Sequence, residues 1–154
     1  MIDMLKVPTS LEEEHKELMD SIEMLASGDS KIAKSVKQIL IILEPHFEKE
    51  EETVVPVLGS LGDLASGIYT DLEEVKERSD ALREDYANML EEHRRIREKV
   101  EAASVLAKAE GREDVLNILE LLSHHAAVEE EILYPAALLA GKLASMLIIR
   151  ERSI

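Results

Sequence analysis

The sequence has no cysteine and no tryptophan, and among its 154 residues are one phenylalanine, three tyrosines, four prolines and six glycines. Lack of cysteine excludes a disulfide framework, an iron–sulfur cluster and thiol chemistry. So few aromatics, prolines and glycines exclude a fold of short strands and tight turns, because strands draw on aromatic and β-branched residues. No apolar run reaches the roughly 20 residues of a membrane span, and the longest, Pro135 to Ile149, contains Gly141 and Lys142. A net charge of −15 argues against nucleic acid and anionic membrane surfaces as partners, since both repel it. The opening MIDMLKVP is too short and too mixed for a signal peptide, so a cytoplasmic location is expected.

What remains is a chain that is 45% hydrophobic and 33% charged, rich in Leu, Glu and Lys, a composition that favours helices. One all-α domain over 1–154 is expected, an up-down-up-down antiparallel four-helix bundle of two hairpins at about 8–58 and 68–140, with an apolar tail at 141–154. The first helix opens at Pro8-Thr9-Ser10, where Ser10 and Glu13 have capping-box spacing, and stops near Ser27-Gly28. The second runs from Ser30 to about Leu58, with Pro45 expected to kink it or break a hydrogen bond before His46. Gly59 to Gly67 reads as a connector, and a third helix over roughly Ile68 to Ala109, with an interruption near Ser79-Asp80, ends at Gly111. The fourth starts at Arg112 and reaches Tyr134, where Pro135 and Gly141 are expected to kink or end it. The tail carries Leu138, Leu139, Leu143, Met146, Leu147 and Ile148. That surface is expected to fold back or to pair with a second copy, a homodimer.

Apolar residues recur at alternating three and four spacing in all four helices, as core faces of a bundle do. Six polar residues interrupt these stripes: His15, His46, Glu50, His93, His125 and Glu129. A buried His or Glu is costly unless it is hydrogen-bonded, paired or bound to a metal. Each helix places one His on its core face, and the second and fourth add a Glu four residues later, so nitrogen and carboxylate share a side one turn apart.

The halves also repeat. HFEKEEETVVP starts at His46 and HAAVEEEILYP at His125, each with Glu at +4 and Pro at +10; Glu14-His15 and Glu92-His93 precede them by 31 and 32 residues, counted from His to His. The four histidines lie 13, 18, 18 and 14 residues from Gly28 or Gly111, close to one depth in two antiparallel hairpins. One isolated core histidine is usually a hydrogen-bonded boundary residue, but six such residues in register with a repeat point to a metal site. Such nitrogen and oxygen ligands suit Fe, Mn or Zn. A ferritin-like site needs two Glu-x-x-His pairs and only Glu12 to His15 is present. Tyr86 and Met89 read as plain core, and the clusters Glu12-Glu13-Glu14 and Glu50-Glu51-Glu52 as solvated faces apart from Glu50.

The segments EEHKEL, HFEKEEETVVP, EEHRRIREKV and HHAAVEEEILYP resemble the hemerythrin-like, His-His-Glu cation-binding domains over roughly residues 8 to 140. The resemblance implies a non-haem di-iron centre, with Mn or Zn as alternatives. His15 and His46 would serve one metal, His93 and His125 the other, and Glu50 and Glu129 would bridge. Oxygen carriers of that family have a second His one turn after the third-helix ligand, where this chain has Arg97. Arg97 is expected to snorkel to the bundle edge or to pair with a carboxylate, Glu101 being the nearest in sequence, and to leave the metal near His93 short of a ligand. The carriers' five-residue spacing of His and carboxylate would select His124, whereas the repeat and the stripe select His125.

Three functions stay open on these residues. One is a di-iron module that binds, senses or stores O2, NO or iron. Another is a small di-iron oxidase or peroxidase, or an enzyme like those that repair iron–sulfur clusters. The third is a bundle with structural zinc or manganese.

Overall fold

Local chemistry sets where each helix begins and ends. The computed structural model describes residues 5–152, and these are all-helical, with no strand among the described residues. Helix α1 (Thr9–Ala26) starts directly after Pro8, and no side chain caps it. The expected Ser10–Glu13 box does not form, because Ser10 already lies inside the first turn. Helix α2 (Lys31–Thr53) is capped by Ser30, whose Oγ accepts the Ala33 N–H at 3.0 Å. It runs on through Pro45, which is exposed, so the ring stands on the solvent side and the core face is left intact.

The second proline of α2 acts differently. The helix stops at Thr53 and restarts as the short α3 (Val55–Gly59) with Pro56 in its first turn, where a missing N–H costs nothing. The connector expected at Gly59 to Gly67 holds a further turn, α4 (Leu61–Ala65). Helix α5 (Leu72–Ala109) spans 38 residues without the interruption expected at Ser79-Asp80. Ser79 is buried and donates its hydroxyl to the Ala137 carbonyl at 3.1 Å, so it does not compete with its own helix's backbone. Gly111, at a φ of +67°, ends α5 in the left-handed conformation that favours glycine.

Helix α6 (Glu113–Val128) carries Glu113 and Asp114 in its first turn, where they meet the positive end of the helix dipole. It passes into a π-helical turn (Glu129–Leu133) and then α7 (Tyr134–Arg152). The helix therefore does not end at Pro135 or Gly141, one of the two outcomes the sequence allowed there. The wider π turn relieves the clash a proline ring makes with the preceding turn, and the helix continues. The tail packs lengthwise on α5, burying Ala137, Ala140, Gly141, Ala144 and Ile148. A Cβ on Gly141 would lie 1.9 Å from Ser79 Oγ, so only glycine permits this approach. Leu139, Met146 and Ile149 stay exposed on the outer face. The helical run Glu113–Arg152 is by length and composition apolar enough to cross a membrane, with a third of its most apolar 18-residue window buried in the protein.

Two apolar clusters fill the interior. One gathers Leu18, Ile22, Ile39, Leu43, Ile96, Val100, Leu119 and Leu122. The other gathers Val54, Val57, Leu82, Met89, Tyr134 and Ala137. Along α1, α2, α5 and the run from α6 into α7 the polar interruption falls between them. Leu11 packs on the second cluster and Leu18 belongs to the first, with His15 between; Leu43 belongs to the first and Val54 to the second, with His46 and Glu50 between. Met89 and Ile96 flank His93, and Leu122 and Tyr134 flank His125 and Glu129. The six residues form one polar layer across an apolar interior.

Candidate metal centre

All six interrupting residues are no more than 4% exposed, and their side-chain donor atoms converge. They fall into two sets: His15, Glu50, His125 and Glu129, and His46, Glu50, His93 and Glu129, each with donors within 4.8 Å of one another. The two glutamates belong to both sets. This corrects the pairing implied by the resemblance, which joined His15 with His46 and His93 with His125. The His15 and His125 rings are 4.9 Å apart and the His46 and His93 rings 4.6 Å apart. Histidines at one depth meet the helix their own helix packs on across the layer, and α1 packs on α6 as well as on α2.

Ring protons decide what these donors can do. His46 Nδ1 donates to Glu92 Oε1 and His93 Nδ1 to Glu130 Oε1, both at 2.9 Å, and His125 Nδ1 is held by Glu14. A carboxylate on Nδ1 fixes the tautomer and turns the Nε2 lone pair inward, as ligating histidines require. His46 Nε2 and His93 Nε2 then face each other at 2.9 Å, and Glu50 Oε1 lies 2.5 Å from His46 Nε2 without a hydrogen-bond partner. Lone pairs packed against lone pairs repel unless a cation lies among them. Buried His125 Nε2 and His15 Nδ1 are also without hydrogen bonds. A buried polar atom left unpaired costs about 1–3 kcal/mol, so this donor set fits a metal that would satisfy it.

Protonation follows from burial and crowding. Burial, aided by Glu129, pushes the Glu50 carboxyl well above the usual range. Burial acts on Glu129 in the same direction, but the adjoining Glu50 carboxyl and the His125, His15 and His93 rings outweigh it and hold Glu129 well below that range. Metal-free, the two carboxylates keep one proton, because neighbouring like charges resist joint ionisation. Burial lowers His46 despite its Glu92 hydrogen bond, which leaves the ring neutral. In His125 burial is overcome by Glu129 and Glu14, and the pKa rises.

Several contributors were not legible as such. Glu14, Glu92 and Glu130 each neighbour a ligand in sequence, so they point to the adjacent face and serve a histidine of another helix. Lys49 holds Glu92 in turn, at 2.6 Å, and Asp85 at 2.9 Å. Tyr134, fully buried, places its hydroxyl 3.1 Å from His93 Nε2 and 3.3 Å from His46 Nε2. It follows Glu129 by five positions, an offset that in an α-helix would turn it off the face. In the π turn the Tyr134 N–H bonds the Glu129 carbonyl, and the two side chains share a side. Only the following Pro135 hinted at this in the sequence.

Arg97 lies at the exposed edge and pairs with a carboxylate, as expected, but that carboxylate is Glu130, at 2.8 Å, and not Glu101. Glu130 is drawn in because it already serves His93. His124 is exposed on α6, while His125 joins the buried set.

A cleft of about 670 Å³ between α1 and α2 reaches His15 and Phe47, whose rings stack at 4.1 Å. Its walls carry Glu12, Glu13, Asp20, Glu44, Glu48 and Glu51 against a single cation, Lys16.

The family described as hemerythrin HHE cation binding domain matches residues 8–137. No curated protein and no solved structure matches the chain significantly.

Proposed function

Because the chain belongs to the hemerythrin HHE cation-binding domain family, we propose that it is a di-iron protein that binds O2 or NO. In this reading the helices form an up-down-up-down antiparallel bundle, which the alternating order of the two apolar clusters along successive helices supports. His15 and His125 would hold one iron and His46 and His93 the other, with Glu50 and Glu129 within reach of both. The observation that carries the proposal is the packing of inward-facing nitrogen and carboxylate donors in one buried layer, above all the opposed Nε2 atoms of His46 and His93. Iron supplies a site at which a diatomic molecule can bind and exchange electrons. The chain's own residues orient the metal's ligands, exclude bulk water through the apolar clusters, and leave the acidic cleft beside His15 as the way in for a cation or a small molecule.

Protein isolated without air is expected to hold two irons per chain and to change its visible spectrum on exposure to O2 or NO. Colourless protein with stoichiometric zinc and no spectral response would overturn the proposal.

A further inference from the structure

Resting on that di-iron reading, we propose that Tyr134 is a seventh protein ligand, giving its phenolic oxygen to the metal held by His46 and His93. The argument is geometric. Ligands about 2.1 Å from one ion and at right angles to each other lie about 3.0 Å apart, the edge of an octahedron. His46 Nε2, His93 Nε2 and Tyr134 Oη form a triangle with edges of 2.9, 3.1 and 3.3 Å. Those are the dimensions of one octahedral face. Glu129 Oε1, 3.2 Å from His93 Nε2, continues the same set of edges.

The backbone is built to bring the phenol here. The π turn bonds the Tyr134 N–H to the Glu129 carbonyl and stacks the tyrosine over a bridging carboxylate. Helix α7 fixes the turn from the other side, through Ala137, whose carbonyl is held by Ser79. The ring packs edge-on against Tyr86 at 6.1 Å and beside His93 at 5.5 Å, so it has no room to swing away. Arg97 had suggested a missing ligand at the His93 metal; the tyrosine offers that metal an oxygen from the side of the second apolar cluster. The set with His15 and His125 has no equivalent, because the corresponding position of the repeat is Val55. Its metal keeps the open positions, on the side of the acidic cleft, and there the diatomic molecule binds.

Ligation is redox-neutral. The O–H bond breaks as the oxygen–metal bond forms, and the proton leaves to solvent.

The test reads the ligand and not a turnover rate. Chain loaded with two irons and oxidised is expected to show phenolate-to-iron charge-transfer absorption in the visible. Resonance Raman bands of the coordinated ring should shift when the protein is grown with ring-deuterated tyrosine. Tyr134→Phe keeps the ring and its packing; it should lose these bands and retain two irons. Tyr86→Phe and Tyr69→Phe should leave them unchanged. If Tyr134→Phe does not fold, persistence of the bands in both of the other variants assigns them to Tyr134, the only tyrosine left in the sequence. Two bound irons without phenolate bands, or bands that survive Tyr134→Phe, overturn the tyrosine ligand and leave the di-iron reading standing. Failure of the unmodified chain to hold iron overturns both.

Discussion

The segments HFEKEEETVVP and HAAVEEEILYP put the same His, Glu and Pro at the same offsets, yet they shape two different halves of one centre. After His46 the helix breaks at Val54, and Pro56 starts a new short helix. After His125 the helix absorbs Pro135 in a π turn and runs on to Arg152. Position +9 is Val55 in the first and Tyr134 in the second; position +1 is Phe47 and Ala126. The first difference closes the His46–His93 side with a phenol. The second lets Phe47 stack on His15, whose Nδ1 is without a hydrogen bond at the edge of a cleft. A repeated pattern fixes where the donors gather, and the residues between them decide which donor set lies beside the cleft.

The largest effect tests what the two sides share. Glu50→Ala or Glu129→Ala removes a donor from both metals, so metal content should fall from two toward zero. His46→Ala or His125→Ala should remove one metal and spare most of the other. A site loaded at about a thousand times its Kd contributes roughly 4 kcal/mol, which in a chain of this size raises Tm by on the order of 10 °C. Metal analysis and melting with and without chelator check both statements; equal losses from the shared and the unshared ligands would break the comparison.

Next comes pH. Glu50 is raised in the metal-free fold, so its contribution to stability is full below the ordinary carboxyl range and is lost as pH rises through its raised value. Metal replaces that proton, and loading also needs unprotonated histidines. The gap in Tm between loaded and metal-free protein should therefore widen from about pH 4 upward. A gap that is constant with pH would show that Glu50 carries no proton to displace.

A smaller and purely kinetic effect is expected at the cleft. Glu48→Lys and Glu44→Lys leave every ligand in place but reverse charge on the route to His15. Uptake of ferrous ion should slow by roughly tenfold at low salt, with the difference shrinking as salt screens it. Final stoichiometry should stay at two. Unchanged uptake would mean that cations enter elsewhere, and the open side of the comparison would lose its meaning.

Reading the sequence located the stripes, the four histidines and two glutamates that interrupt them, and the choice of a helical class, because helical periodicity is local and a buried polar residue on an apolar face is conspicuous wherever it occurs. The same reading erred where two helices had to meet. Ser79 looked like a helix interruption until Gly141 of α7 was found against it. Arg97 was assigned to the nearest carboxylate along its own helix, and its partner is Glu130 on another. Pairing the histidines by hairpin followed chain order, but a metal takes the donors nearest in space, and those are His15 with His125 and His46 with His93.

By itself, then, the sequence determined that the chain is helical, where its polar layer lies and which six side chains compose it, since each of these depends on residue type and spacing of three or four. Only the tertiary structure decided which donors share a metal position, which carboxylates fix the ring protons, and that a π turn before Pro135 turns Tyr134 inward. Those depend on distances between helices and on one backbone turn of unusual width, and neither is written in the spacing of residues along a single helix.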